Sequence, residues 1–156
     1  MKNIFLLVLT SAFCLAGISA AFAATDTASL NVSAIVLGGA RIESIGSISH
    51  TDYNPTEPTS PNDATGSITV RATKGLPYKI YIGPDRTMTN GTDNLSYEIY
   101  SDAGRTTVWG DSFATGQGFT STTNAPNTKN IYSRIPVLQN VPPGTYSDMV
   151  LITLEW

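Results

Sequence analysis

The stretch that decides the fold is residues 144–156, GTYSDMVLITLEW. Its apolar side chains recur at every second position, which is the period of a β-strand with one buried face. That apolar row consists of Val150, Ile152, Leu154 and Trp156. Turn-forming residues 141–144, VPPG, come directly before it. Most domains end in a polar tail, so this strand predicts that Trp156 is buried and that a neighbouring sheet edge lacks a strand of its own.

The same alternation occurs near the other end of the chain, in residues 24–37. Small polar residues occupy the intervening positions 29, 31 and 33. The apolar positions are Ala28, Leu30, Val32, Ala34 and Val36. One interpretation is the first strand of an ordinary sandwich, and the other is a strand that docks into another subunit. Both need one apolar face, so the pattern alone does not distinguish them.

Between these stretches, short apolar runs alternate with turn signals. Strands are predicted at residues 66–73, 78–82, 95–100 and 130–137, and Asn90-Gly91 marks a tight turn. Residues 47–64 and 112–129 are rich in Pro, Gly, Ser, Thr and Asn and are predicted to be loops. No stretch after residue 23 has helical periodicity. The pattern predicts an all-β sandwich in a single domain.

The first 23 residues have the features of a secretory signal peptide. Lys2 precedes an apolar run at residues 4–18, and Ala21-Phe22-Ala23 fits the cleavage rule. The run is short for a membrane span, so we expect cleavage before Ala24 and no membrane insertion of the mature chain. That chain has 133 residues (156 − 23), with eight Lys and Arg (nine minus Lys2) against twelve acidic residues, a charge of −4. This charge argues against nucleic acid and anionic membranes as partners.

No pattern in the mature sequence indicates catalysis, a metal site or a cofactor. The chain's one cysteine, Cys14, lies in the signal segment, which excludes a disulfide or a thiol nucleophile after cleavage. The one histidine, His50, lies beside a proline-rich loop without an evident partner and is expected to be solvated. The acidic residues show neither an acid–base pair nor EF-hand spacing. We therefore do not expect an enzyme.

Three blocks of sequence together resemble a known family. Residues 95–111, LSYEIYSDAGRTTVWGD, resemble the central motif of the spore coat protein U family, whose members are subunits of archaic chaperone–usher pili. Residues 86–91, RTMTNG, fit the same pattern. So do residues 143–148, PGTYSD, followed by a terminal apolar strand. The resemblance spans almost the whole mature chain.

The resemblance implies an incomplete immunoglobulin-like sandwich that lacks its last strand. A periplasmic chaperone would fill the gap first, and the N-terminal strand of the next pilin subunit would replace it at the outer-membrane usher. Residues 24–37 would then be the donor segment, and the row from Val150 to Trp156 would line the acceptor groove. This implies a single pilin domain at residues 24–156, exported through the periplasm to a cell-surface pilus that supports adhesion and biofilm formation. The alternatives are a secreted lectin-like binding module and a structural protein of a spore or cell coat.

The chain departs from the family at one pair of positions. Members usually carry two cysteines, and alignment with the family motif places them at Ala40 and Ala72. Both are absent together, as expected if they are disulfide partners in relatives. The resemblance therefore predicts that Ala40 and Ala72 face each other.

Overall fold

The computed structural model describes residues 25–59 and 61–156. The expected signal peptide at residues 1–23 lies outside the described residues. The described residues form nine β-strands and no helix, and therefore no helix long and apolar enough to cross a membrane. The all-β prediction is confirmed. The strands are β1 (Ala40–Gly46), β2 (Asn62–Ala72), β3 (Pro77–Ile82), β4 (Thr87–Thr89), β5 (Asn94–Ser96), β6 (Glu98–Tyr100), β7 (Gln117–Thr120), β8 (Asn127–Ile135) and β9 (Ile152–Glu155).

The strands pair in three antiparallel sheets. One sheet has the order β1-β2-β8-β6, the second has the order β7-β3-β9, and β4 and β5 form a hairpin. The predicted turn at Asn90-Gly91 connects the hairpin strands, and Gly91 has a φ of +102°, which favours glycine. Residues Val36–Trp156 form one compact unit, and the described residues 25–35 do not belong to it. Residues 25–35 contain no strand.

The hydrophobic core lies between the two larger sheets, as expected for a sandwich. Strand β2 buries every second side chain, whereas the intervening positions are half-buried or exposed. The same alternation places the inner face of β3 in the core. Burial of one large aliphatic side chain contributes about 1.5–3 kcal/mol. The buried cluster contains Ile68, Val70, Ala72, Tyr78, Ile80, Ile82, Ile99, Trp109 and Ile131.

The predicted strand at residues 95–100 is interrupted at Tyr97. Strand β5 belongs to the hairpin and β6 to the four-stranded sheet. The interruption occurs where the Tyr97 amide donates to the Arg86 carbonyl at 3.0 Å. The Arg86 side chain, itself largely buried, pairs with Glu98 and donates to the Trp109 carbonyl at 2.8 Å. Arg86, the first residue of the block at residues 86–91, thus holds the chain where it crosses between sheets.

The second half of the same motif forms a loop around Asp102 and Arg105. The Asp102 carboxylate accepts the Thr107 amide at 2.7 Å, and this bond lowers the pKa of Asp102. Arg105 has a φ of +55°, a left-handed conformation that costs a non-glycine residue free energy. Its guanidinium donates to the carbonyls of Ser133 at 3.1 Å and Ala64 at 3.2 Å. The motif therefore fastens its loop to β2 and β8.

Trp109 and Gly110 complete the motif. Trp109 is 1% exposed, and its indole Nε1 donates to the Ile80 carbonyl at 3.0 Å. A Cβ at Gly110 would lie 2.1 Å from the Thr115 carbonyl oxygen, so only glycine fits beside that loop. The central motif therefore stabilises the fold, through the loop contacts of Asp102 and Arg105 and the close packing at Trp109 and Gly110.

The structure differs from the sequence predictions at three places. Strand β7 lies within residues 112–129, where only Phe119 packs against the core. Strand β1 was not predicted. His50 is not simply solvated, because its ring nitrogens lie 3.0 Å from Asn62 Oδ1 and 3.0 Å from the Oγ of buried Ser133. The Asn62 side chain also donates to the Thr51 carbonyl, which folds this loop against the sheet.

Candidate functional site

Two strand edges of the sandwich lie side by side without pairing. Strand β1 is hydrogen-bonded to β2 on one side, and β9 is hydrogen-bonded to β3 on one side. On their other sides neither has a strand partner within the described part of the chain. Parts of β1 and β9 approach within 8 Å between Cα atoms. The gap between these edges is called the open groove below.

The β1 wall of the open groove is apolar. Ala40, Ile42 and Ile45 each lie opposite a buried residue of β2. Directly opposite residues of an antiparallel pair share one face of the sheet, so all three point towards the core. Their β2 partners are Ala72, Val70 and Ile68, which are 4%, 1% and 0% exposed. Ile45 is nevertheless 55% exposed, because it lies on an edge strand whose outer side has no strand partner within the described residues.

A β-bulge brings Ile45 onto the inner face. The pairing register of β1 with β2 shifts between Ile42 and Ser44, which leaves Glu43 without an opposite residue. Without this extra residue, Ile42 and Ile45 would point to opposite faces. Hydrogen bonds from Arg71 and Arg41 hold the exposed Glu43 carboxylate, with Nε of Arg71 at 2.5 Å. The bond from Arg71 is the main cause of the lowered pKa of Glu43.

The β9 wall carries most of the predicted C-terminal row. Ile152 lies opposite Ile82, and Leu154 lies opposite Ile80, so both point inward. Val150 also packs against the core, just before the strand begins. All three are only half-buried, whereas the β3 partners of Ile152 and Leu154 are at most 1% exposed. The uncovered side of the row therefore faces the open groove.

Trp156 does not continue this row as predicted. It lies beyond the last residue of β9 and is 60% exposed. It lines an open depression with Tyr78, Phe119 and Phe113. The expectation that Trp156 is buried is wrong for the isolated chain, in which the pairing of β9 with β3 ends at Glu155 and Lys79.

The N-terminal row is exposed. Leu30, Val32 and Val36 are 87%, 85% and 83% exposed, and Ala28 and Ala34 are exposed as well. None of the five belongs to a strand of the described chain. Burial of these apolar side chains against another surface would lower the free energy, because it would remove apolar area from water.

Sequence reasoning missed Ile42 and Ile45. The signal was present as two isoleucines three residues apart in residues 40–46, ARIESIG. That spacing breaks strand alternation, and only a bulge between them restores a common face. The predicted proximity of Ala40 and Ala72 is confirmed, because the two are direct register partners.

Comparisons with known proteins agree with the motifs. The family model of the Spore Coat Protein U domain matches residues 26–153. Protein U of Myxococcus xanthus is 34% identical over an alignment of 169 positions that covers 94% of each chain.

A similarity was also found to a chain in the crystal structure of the CsuC–CsuE chaperone–tip adhesion subunit pre-assembly complex from archaic chaperone–usher Csu pili of Acinetobacter baumannii. The identity is 20% and the TM-score 0.49, over 78% of this chain. The chain spans 40% of the length of that solved chain. The family match extends over residues 26–153 of 156, and on that ground this chain belongs to the spore coat protein U family.

Proposed function

We propose that this protein is the structural subunit of a secreted chaperone–usher pilus and polymerises by donor-strand exchange. In this reaction the N-terminal segment of one subunit enters the open groove of another. The observation that carries the proposal is Ile45, an inward-pointing core residue that is 55% exposed between two unpaired strand edges. Together with the half-buried residues of both walls, Ile45 forms an exposed apolar surface beside unpaired strand edges, which is typical of a site that a partner covers.

The donor segment and the groove have complementary chemistry. The edges of β1 and β9 offer unpaired main-chain groups, and an added strand can hydrogen-bond to both. The groove is apolar along its inner walls, and residues 28–36 present an apolar side chain at every second position. Transfer of Leu30, Val32 and Val36 into the groove contributes about 1.5–3 kcal/mol each before the cost of ordering the segment.

Insertion requires the groove to widen locally. A strand placed between β1 and β9 separates them by two strand spacings, about 9.6 Å. Parts of the two edges are within 8 Å in the isolated chain. These parts of the groove are therefore narrower than an inserted strand requires, and part of the binding free energy would be spent on widening them.

An open groove also explains the need for assembly partners. Exposed strand edges and apolar walls favour aggregation. A periplasmic chaperone that occupies the groove would prevent this, and an outer-membrane usher would exchange the chaperone for the next subunit. The protein would then pass through the periplasm to the cell surface, where the fibre supports adhesion and biofilm formation.

The family description favours one second candidate, a structural protein of a spore or cell coat. The same strand exchange would then build a layer on the cell instead of a fibre. Both candidates predict polymers and differ in the shape of the assembly.

Immunoelectron microscopy of the producing cells tests the proposal. An antibody against this protein should label thin surface fibres, and cells that lack the protein should show neither fibres nor label. Label confined to a continuous layer would favour the coat. Recovery of the protein solely as a secreted monomer would contradict strand exchange in both forms.

A further inference from the structure

We propose a register for the inserted strand: Leu30 of a second copy lies beside Ala40, Val32 beside Ile42 and Ala34 beside Ile45. The inserted strand then runs parallel to β1 and antiparallel to β9. This inference rests on the proposed strand exchange and specifies how the donor lies in the groove. It is carried by the sizes of the groove residues and by the directions of the two edge strands.

The two ends of the β1 wall differ in the space they leave. At one end, Ala40 lies opposite Ala72, so both side chains of the pair are single methyl groups. At the other end, Ile45 lies opposite Ile68, and both are large and branched. Ile42 and Val70 lie between them. The β1 wall therefore leaves most room for a neighbouring side chain beside Ala40 and least beside Ile45.

The hydrogen bonds at the β2–β3 turn orient β1 relative to β9. The Thr73 amide donates to the Gly39 carbonyl at 2.9 Å, and the Leu76 amide donates to the Thr73 carbonyl at 3.0 Å. The start of β1 and the start of β3 consequently lie at the same end of the sandwich. Strand β9 is antiparallel to β3 and finishes at that end, with Glu155 opposite Lys79. Strands β1 and β9 are thus antiparallel to each other, with Ala40 near the end of β9.

Along the chain, the inward side chains of the donor segment become smaller from Leu30 to Ala34, whereas those of the β1 wall become larger from Ala40 to Ile45. Leu30 is the largest side chain of that inward row and Ala34 one of the smallest, and they are two inward positions apart. Ala40 and Ile45 are also two inward positions apart, because the bulge adds one residue. Placing Leu30 beside Ala40 brings Ala34 beside Ile45, so that large faces small at both ends. The reversed strand pairs Leu30 with Ile45 and Ala34 with Ala40, which overpacks one end and leaves a void at the other.

Cysteine pairs distinguish these arrangements, because the chain's one cysteine precedes the expected cleavage site. The test variant is Leu30→Cys with Ala40→Cys. The matched controls are Ala34→Cys with Ala40→Cys and Leu30→Cys with Ile45→Cys, which report the reversed strand. Directly neighbouring positions can form a disulfide, whereas a shift of four residues moves the sulfurs about 13 Å apart.

Each variant is exported to an oxidising compartment, purified and run on a denaturing gel without reductant, before and after boiling. We expect the test variant to give a covalent ladder that survives boiling, and both controls to fall to monomer on boiling. A boiling-resistant ladder in either control would overturn the register but leave strand exchange intact. Absence of a ladder in unboiled samples of the unsubstituted protein would overturn both the register and strand exchange. A disulfide within single subunits of the test variant would place the segment in its own groove and would overturn its insertion into a second copy.

A size exchange gives a second measurement that needs no crosslink. Ala40→Leu should lower the temperature at which polymers dissociate, and Leu30→Ala in the same chain should restore at least half of the decrease. Val36→Ala, which truncates the donor elsewhere, should add to the decrease. Equal effects of Leu30→Ala and Val36→Ala in the Ala40→Leu background would contradict the register.

Discussion

Ala40 lies directly opposite Ala72 in the antiparallel pair of β1 and β2. Opposite Cβ atoms in such a pair are about 4.5–5.5 Å apart, close to the separation that a disulfide spans. The double substitution Ala40→Cys with Ala72→Cys should therefore oxidise during export. It closes a loop of about 33 residues and should stabilise the fold by about 3–4 kcal/mol.

The thermal melting temperature of the double variant, with and without reductant, measures this effect. The single variant Ala40→Cys is the control and should melt at the same temperature in both conditions. Two free thiols in protein purified from an oxidising compartment would show that the β1–β2 register is wrong.

Ile45 and Ile68 are register partners with different exposure, 55% and 0%. Ile68→Ala should destabilise the subunit by about 2–5 kcal/mol, because it leaves a cavity in a closed part of the core. Ile45→Ala should change subunit stability far less but should lower the dissociation temperature of the polymer, where a donor strand covers the site. Denaturant unfolding of the monomer and heating of the polymer measure the two quantities separately. Equal destabilisation of the monomer by both substitutions would contradict an open groove.

The sequence predicted the β9 wall of the open groove and missed the β1 wall, because apolar and polar residues alternate without interruption only in β9. Ile152 and Leu154 alternate with Thr153 and Glu155, so the inner face of β9 was evident. On β1, the bulge at Glu43 disrupts the alternation, and its position depends on pairing with β2. Such a feature arises from tertiary structure and leaves only a weak sequence signal.

The other differences have similar causes. Strand β7 presents one apolar residue, Phe119, to the core and forms because it pairs with β3. The break at Tyr97 depends on Arg86, eleven positions earlier in the chain. Turn signals and alternation were sufficient for the all-β class and for β2, β3 and β8, whose buried faces are continuous.

Val32→Asp should prevent polymerisation. The substitution places a carboxylate in an apolar groove, where burial of the unpaired charge costs several kcal/mol. Ser33→Asp adds the same charge at the adjacent position on the polar side of the segment and should leave polymers intact. Unboiled gel samples of each purified variant report the ladder of denaturant-resistant polymers. Normal polymers of Val32→Asp would refute the role of residues 28–36 as a donor strand.

Asp63 should contribute to a loss of stability in acid. A hydrogen bond from Arg134 is the main cause of its lowered pKa, and Arg105 adds to the effect. A carboxyl group whose pKa is lower in the folded state stabilises the fold above its unfolded pKa, near 4, and this contribution is lost as the pH falls through the folded pKa. Asp63→Asn should therefore weaken the fold at pH 7 and reduce the slope of stability against pH below about pH 4. Denaturant unfolding at several pH values measures that slope, and an unchanged slope would exclude this contribution.

Truncation of the C-terminus should separate the roles of β9 and Trp156. Deletion of residues 154–156 removes Leu154 and half of the pairing between β9 and β3, including the pair of Glu155 with Lys79. We expect this subunit to be lost from the periplasm, because both the core and the edge that a chaperone would bind are damaged. Deletion of Trp156 alone removes a residue that is 60% exposed and lies outside the strand, so the subunit should still be recovered. Quantitative immunoblots of periplasmic extracts compare the yields. A wild-type yield of the longer deletion would show that the end of β9 is dispensable. Loss of both variants would instead show that recovery of the subunit requires Trp156 itself, as expected if a partner covers that side chain.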